Sequence, residues 1–153
     1  MSIRDLVCEA LALVDAELES QRVSLQVELH QELPQVMGDR VQLQQVLLNL
    51  IMNAVEAMSL VENRERSLRV KSEFHGARDV LIMVEDTGPG IDSKDMDCIF
   101  DAFFTTKPHG MGLGLSICQS IIESHGGRLW ASTRIPHGTV FYVRLPKGDS
   151  AGQ

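Results

Sequence analysis

Asn49 and Asn53 stand one helical turn apart in NLIMNAVEA, inside a stretch whose apolar residues repeat at helical spacing. Asparagine is a poor interior helix residue because its amide competes for backbone hydrogen bonds, so two of them at this spacing suggest a task. At ~100° per residue, Leu43, Leu47, Leu50, Ala54 and Met58 form one apolar stripe, and Gln45, Asn49, Asn53 and Glu56 gather on roughly the opposite side. A neutral amide oxygen beside a carboxylate suits a magnesium ion that already carries phosphate oxygens, since this metal takes hard oxygen ligands and keeps several waters. Standing alone, the same side of the helix fits an ordinary solvated face.

VEDTGPGI, residues 84–91, is a second candidate. Asp86 ends a strongly apolar strand pattern, and Gly88, Pro89 and Gly90 force the chain to turn beneath it. A carboxylate fixed at a strand end can accept a hydrogen bond from an exocyclic amine such as N6 of adenine, whereas guanine would present an oxygen there. Glycines without side chains would let a planar base approach the backbone. A purely structural turn after a strand is the alternative.

The third is TTKPHGMGLGLSICQSII, residues 105–122, with Gly110, Gly112 and Gly114 at every second position before a helical pattern. It is not the dinucleotide GxGxxG, no βαβ unit surrounds it, and GxxxxGK[ST] is absent from the sequence. Its backbone can still wrap an anion, and the following helix offers free N–H groups and a positive dipole end. Lys107 and the hydroxyls of Thr105 and Thr106 could assist; a surface loop is the alternative. Phe100, Phe103 and Phe104, at the base of this segment, read as core anchors rather than stacking groups.

Bulk properties narrow the classes. With 153 residues the chain suits one domain, spanning 1–147 with a frayed tail at 148–153, and large enough to fold without staples. A net charge of −7 argues against a duplex-binding surface, so any phosphate ligand must be held locally. Cys8, Cys98 and Cys118 are odd in number and form no CxxC, which reads as reduced, cytosolic thiols and no zinc site. No apolar run approaches the ~18 residues of a membrane span, although a longer parent protein could be membrane-tethered.

The elements that must position these residues follow from periodicity. Residues 3–20 repeat as a helix, and VSLQVEL alternates as a half-buried strand with Val23, Leu25, Val27 and Leu29 on one side. Asp39 is suited to cap a helix running to about Met58. SLRVKSEF and VLIMVE read as strands around a GARD turn, the second one central; a short helical piece follows at roughly 92–99. A helix starts near Gly112 and ends at SHGG with Gly126 as its stop, and RLWAST and TVFYVRLP form a hairpin around IPHG. Five strands and three long helices in this order give an α+β two-layer sandwich, a mixed five-stranded sheet with the helices on one face.

Taken in order, the Asn helix, Asp-x-Gly-x-Gly turn, Phe-rich segment, glycine segment and terminal hairpin resemble the ATP-binding (Bergerat) domain of the GHKL superfamily, and within it the catalytic domain of sensor histidine kinases. The likeness covers about residues 5–146. FFTTK followed by HGMGLGLSIC looks most like kinases of the nitrogen- and oxygen-sensing type. The resemblance implies ATP and magnesium as cofactors, with Asn53 on the metal and Asn49 beside the phosphates. It implies Asp86 on the adenine amine, Gly88 and Gly90 shaping the pocket, Ile91 lining it, and Thr139 near the adenine end. The segment from Phe100 to Gly110 would be a mobile lid. Gly110, Gly112 and Gly114 would curl around the phosphates, with Leu113 and Leu115 anchoring the lid's end.

The departures also carry information. In this family the phosphoryl acceptor is a histidine on a separate helical hairpin, followed by an acidic residue and, a few positions on, a proline, and none of His30, His75, His109, His125 and His137 fits. His30 reads as an exposed strand-end residue, His109 lies inside the lid, and the others read as turn or cap residues. The expected partners are therefore that hairpin and a response regulator, with no nucleic acid and no membrane contact, in the cytoplasm. The related clamp ATPases and serine kinases place a glutamate general base one turn before the metal asparagine. Here that position is Asn49, which cannot take a proton. A module that binds nucleotide without transferring it is the third reading.

Overall fold

Two helices begin by the same device. Ser2 Oγ accepts the Asp5 N–H (3.3 Å) ahead of α1 (Ile3–Ser20), and Asp39 Oδ1 accepts the Gln42 N–H (3.1 Å) ahead of α2 (Arg40–Met58). The computed structural model describes residues 1–101 and 114–148, so α3 is seen from Gly114 to Ser124 and the glycines before it lie outside the described residues. The strands are β1 (Val23–Leu29), β2 (Arg66–His75), β3 (Asp79–Asp86), β4 (Arg128–Thr133) and β5 (Thr139–Pro146). They form one sheet in the order β1-β2-β3-β5-β4, with β1 parallel to β2 and every other pair antiparallel. The three helices cover one face, giving the two-layer α+β sandwich expected from the sequence.

The core lies between the layers. Leu43, Leu47, Leu50, Ala54 and Met58, the apolar stripe of α2, are all buried, as are Val46, Ile51 and Val55 beside them. They meet Leu68 and Val70 of β2, Val80, Ile82 and Val84 of β3, and Phe141, Val143 and Leu145 of β5. Leu81, on the other face of β3, is buried too, which is why this central strand reads as a continuous apolar run. Phe100 packs edge-on against Phe141 at 6.3 Å between centroids, in the anchoring role expected of it. Phe103 and Phe104 lie outside the described residues.

Three expectations need correction. In β1, Leu25 and Val27 pair in register with the buried Leu68 and Val70, yet they remain 40% and 42% exposed. An outermost strand points its apolar side the right way, but the helix layer covers it incompletely. Residues 92–99 form consecutive turns rather than a helix, with Asp92 O accepting from both Asp95 and Met96 and Asp95 O from Cys98. The C-terminal tail does not fray directly after β5: Lys147 bridges Val36, and the Gly148 N–H donates to Gln35 O.

Candidate functional site

Along the core side of β3, Val80, Ile82 and Val84 lead to Asp86, which continues the row as a carboxylate only 2% exposed. Its cross-strand partner in β5 is Thr139, 4% exposed, so the apolar floor of the sandwich ends in a polar pair. Asp86 Oδ1 accepts the Gly88 N–H at 2.9 Å. Burial pushes the Asp86 carboxyl up from 3.8 to about 6, against the opposing pull of the Gly88 and Thr139 amides and of the Arg134 guanidinium. The group is thus an anion at neutral pH held in a dry site, where a donor would find it poorly solvated.

Close backbone contacts shape the wall around it. A Cβ on Gly88 would stand 3.1 Å from both Ala57 Cβ and Asp86 Oδ1, so the missing side chain is what lets the turn lie against α2. Gly138, in the β4–β5 turn, has φ +110°, and a Cβ there would fall 2.0 Å from the Asp86 carbonyl oxygen. Gly138→Ala is therefore expected to destabilise the fold by about 3 kcal/mol, through left-handed strain and a backbone clash. Gly76→Ala, at φ +69° with open space around the position, is expected to cost only about 1 kcal/mol. Urea titrations of both variants check this, since the difference between them isolates the clash.

A polar clamp on the far side of the turn holds it in place. Thr87 Oγ1 accepts from the Ser67 N–H (3.0 Å) and donates to Glu65 O (3.1 Å), while Arg64 Nη2 donates to Gly88 O (3.0 Å) and Thr87 O (3.3 Å). In the sequence Arg64 is one of several charges in VENRER, residues 61–66. Only its contact across the fold separates it from its neighbours there, and no local pattern could have shown that.

On α2, Asn49, Asn53 and Ala57 lie along one ridge, about 12 Å long at 1.5 Å per residue. Ala57 touches the Gly88 turn at one end; at the other, Asn49 Nδ2 reaches Cys118 Sγ of α3 at 3.5 Å. The two asparagines are half-buried, whereas Gln45 and Glu56 on the same side of the helix are exposed. The polar side expected from the sequence thus splits into a solvated part and a part facing α3 and the sheet end. Cys118 is fully buried, and burial raises its thiol pKa, so it meets Asn49 as a neutral thiol.

The ridge joins the buried carboxylate to the first turns of α3, whose N-terminal N–H groups and dipole favour an anion. Among the described residues no group of three His, Cys, Asp or Glu could hold a metal by itself. A divalent ion beside Asn53 would therefore take most of its ligands from phosphate and water, a pattern that fits magnesium. Ile91 and Leu115 are partly buried against the core, Ile91 after the glycine turn and Leu115 at the start of α3. Thr105, Thr106, Lys107, His109, Gly110, Gly112 and Leu113 lie outside the described residues.

Of the histidines, His109 lies outside the described residues, and His137 precedes Gly138 in the turn that packs on Asp86. His30 is exposed beside the end of β1, as expected. His125 does more than end α3: its Nδ1 donates to Ile121 O (2.7 Å), which leaves Nε2 to accept the Asp39 N–H (3.0 Å) and ties α3 to the start of α2.

Comparison with known proteins agrees with this geometry. Residues 38–149 match the family described as histidine kinase-, DNA gyrase B-, and HSP90-like ATPase. The chain is 41% identical over 147 residues to the sensor histidine kinase TmoS of Ectopseudomonas mendocina, covering 95% of this chain and 15% of TmoS. It is 44% identical over 149 residues to the sensor protein FixL of Bradyrhizobium diazoefficiens, covering 97% of this chain and 29% of FixL. It thus spans less than a third of either relative. Among solved structures, the catalytic domain of histidine kinase ThkA superposes with a TM-score of 0.84 at 34% identity, covering 96% of this chain and 95% of that one. ThkA has also been solved in complex with the response regulator protein TrrA, with a TM-score of 0.81 at 33% identity, covering 96% of this chain and 41% of that one. The chain belongs to the histidine kinase-, DNA gyrase B- and HSP90-like ATPase family, and within it to the catalytic, ATP-binding domains of histidine kinases.

Proposed function

We propose that this chain binds Mg-ATP along the α2 ridge and donates the γ-phosphoryl group to a histidine on a separate helical hairpin of its parent kinase, from which a response-regulator aspartate receives it. The observation that carries this reading is the placement of Asp86. A buried carboxylate beside Thr139, at one end of a ridge bearing Asn53 and Asn49, supports an order of base, then metal, then phosphate along it. Asp86 would accept from the adenine amine, with Gly88, Gly90 and Ile91 forming the slot. Asn53 would supply an amide oxygen to magnesium, and the metal would neutralise phosphate charge. Asn49, held by Cys118, would stand beside the phosphates. Gly114 and Leu115 would begin the helix end that meets them, and Gly110, Gly112 and Leu113, with Thr105, Thr106 and Lys107, would close over them.

The chemistry expected of this chain is positioning and charge neutralisation. Asn49 stands where a hydrolytic relative would need a base, so water is not activated from that side. Calorimetric titration with ATP and GTP, each with and without magnesium, tests the nucleotide part. Magnesium-dependent binding of ATP over GTP without appreciable turnover is the expected result, and steady hydrolysis would overturn the transfer reading. Adding a helical hairpin that carries an acceptor histidine should then yield acid-labile phosphohistidine.

A further inference from the structure

The sheet face turned away from the helices carries a second cluster, level with Leu81 and Met83 of β3 and so roughly 10–17 Å along that strand from Asp86 at ~3.3 Å per residue. There, Arg128 of the outermost strand β4 is the cross-strand partner of Arg144, and Trp130 is the partner of Tyr142. Trp130 and Tyr142 stack at 5.1 Å with 9° between their planes, and the Arg128 guanidinium lies 5.0 Å from the centre of the Trp130 ring. His75 stands 6.2 Å from the same ring. Together His75, Arg128, Trp130 and Arg144 line an open depression of about 340 Å³.

Donors dominate this depression. Arg128 is exposed and forms no ion pair among the described residues. Arg144 places Nη1 on Asp79 Oδ2 at 3.2 Å, while its Nε is buried and meets no acceptor. Trp130 adds an indole N–H, so the surface holds two forked cations and an aromatic wall with one carboxylate already engaged. On a chain of net charge −7, this concentration of cationic donors selects ligands rich in acceptors and negative charge.

We propose that this depression docks an acidic segment of a partner protein, with carboxylates on Arg128 and Arg144 and an alkyl or aromatic side chain against Trp130. A small-molecule site would enclose most of its ligand, and this one is open on the sheet surface beside an edge strand. A nucleic acid would need an extended basic track, whereas Glu73, Asp79 and Glu85 share this face in register with Leu81, His75 and Arg69. The proposal is independent of the nucleotide site.

Trp130 is the chain's one tryptophan, so its fluorescence reports the site directly. The whole chain is titrated at constant ionic strength with a capped hexapeptide of alternating glutamate and aspartate, with the equivalent lysine peptide, with succinate, with inorganic phosphate and with an oligothymidylate. Saturable quenching by the acidic peptide alone, with a Kd on the order of 100 μM, is expected. Affinity should fall about fivefold in Arg128→Gln, an exposed position whose replacement leaves ATP binding unchanged. An unaltered isotherm in that variant, no saturable response at about 1 mM peptide, or equal binding of succinate, phosphate or oligothymidylate would each overturn the docking of an acidic protein segment here.

Discussion

Asn53→Ala is expected to lower magnesium-dependent ATP affinity by about 100-fold or more while the domain stays folded. The removed amide is the ridge's proposed oxygen ligand to the metal, and among the described residues no cluster of three His, Cys, Asp or Glu could hold the ion in its place. Alanine is also the best helix former, so α2 should keep its stability to within about 1 kcal/mol. Calorimetry with and without magnesium, beside circular dichroism, separates the two effects. Gln45→Ala, at an exposed position two turns before Asn53 on the same helix, is the control and should change neither. Wild-type magnesium dependence in Asn53→Ala would reject this residue as the ligand.

Asp86→Asn should move binding and stability in opposite directions. An amide must turn its oxygen toward the adenine amine and leaves a donor beside it, so ATP affinity should drop by about 10- to 100-fold. In the free protein the same change should stabilise the fold by about 3 kcal/mol at neutral pH. The sign follows from the raised pKa. The folded state holds the Asp86 proton up to about 6 and the unfolded chain releases it near 3.8, so stability falls as pH rises between these values and stays lower above them. Asparagine has no proton to lose, so the variant's advantage should vanish below about pH 4. Wild-type ATP affinity should weaken as pH falls through about 6, because protonation puts a donor on the carboxyl and leaves it a weaker acceptor for the amine. Denaturant curves at acid and neutral pH, paired with ATP titrations, check both halves. Identical stability of the two proteins at neutral pH would show that the carboxylate carries no burial penalty.

Periodic patterns gave the elements that a two-layer sandwich must have. Every residue of the α2 stripe, and Val80, Leu81, Ile82 and Val84 of the β3 run, is buried, because alternation and helical spacing report directly on which side is buried. The same patterns failed where burial depends on a neighbour's reach, as with Leu25 and Val27 on β1, or where turns follow one another without closing a helix, as at 92–99. For the site, Asn49, Asn53, Asp86 and the glycines stand out because each breaks a local rule: amides inside a helix, a carboxylate ending an apolar strand, a backbone that must bend. Arg64, Thr87, Cys118 and Gly138 break no local rule. Their roles exist only through contacts with residues remote in sequence, and Gly138 owes its importance to a carbonyl 52 positions away.

The strand order has a consequence for how the molecule is made. β5, the last strand among the described residues, lies between β3 and β4, so neither has its partner on that side until residues 139–146 have left the ribosome. Until then β1, β2 and β3 can form only a three-stranded half-sheet whose open edge runs along β3, its most apolar strand. The growing chain therefore presents an adhesive edge for the time taken to synthesise some fifty residues, a few seconds at ordinary translation rates, and its last strand both completes the sheet and seals that edge.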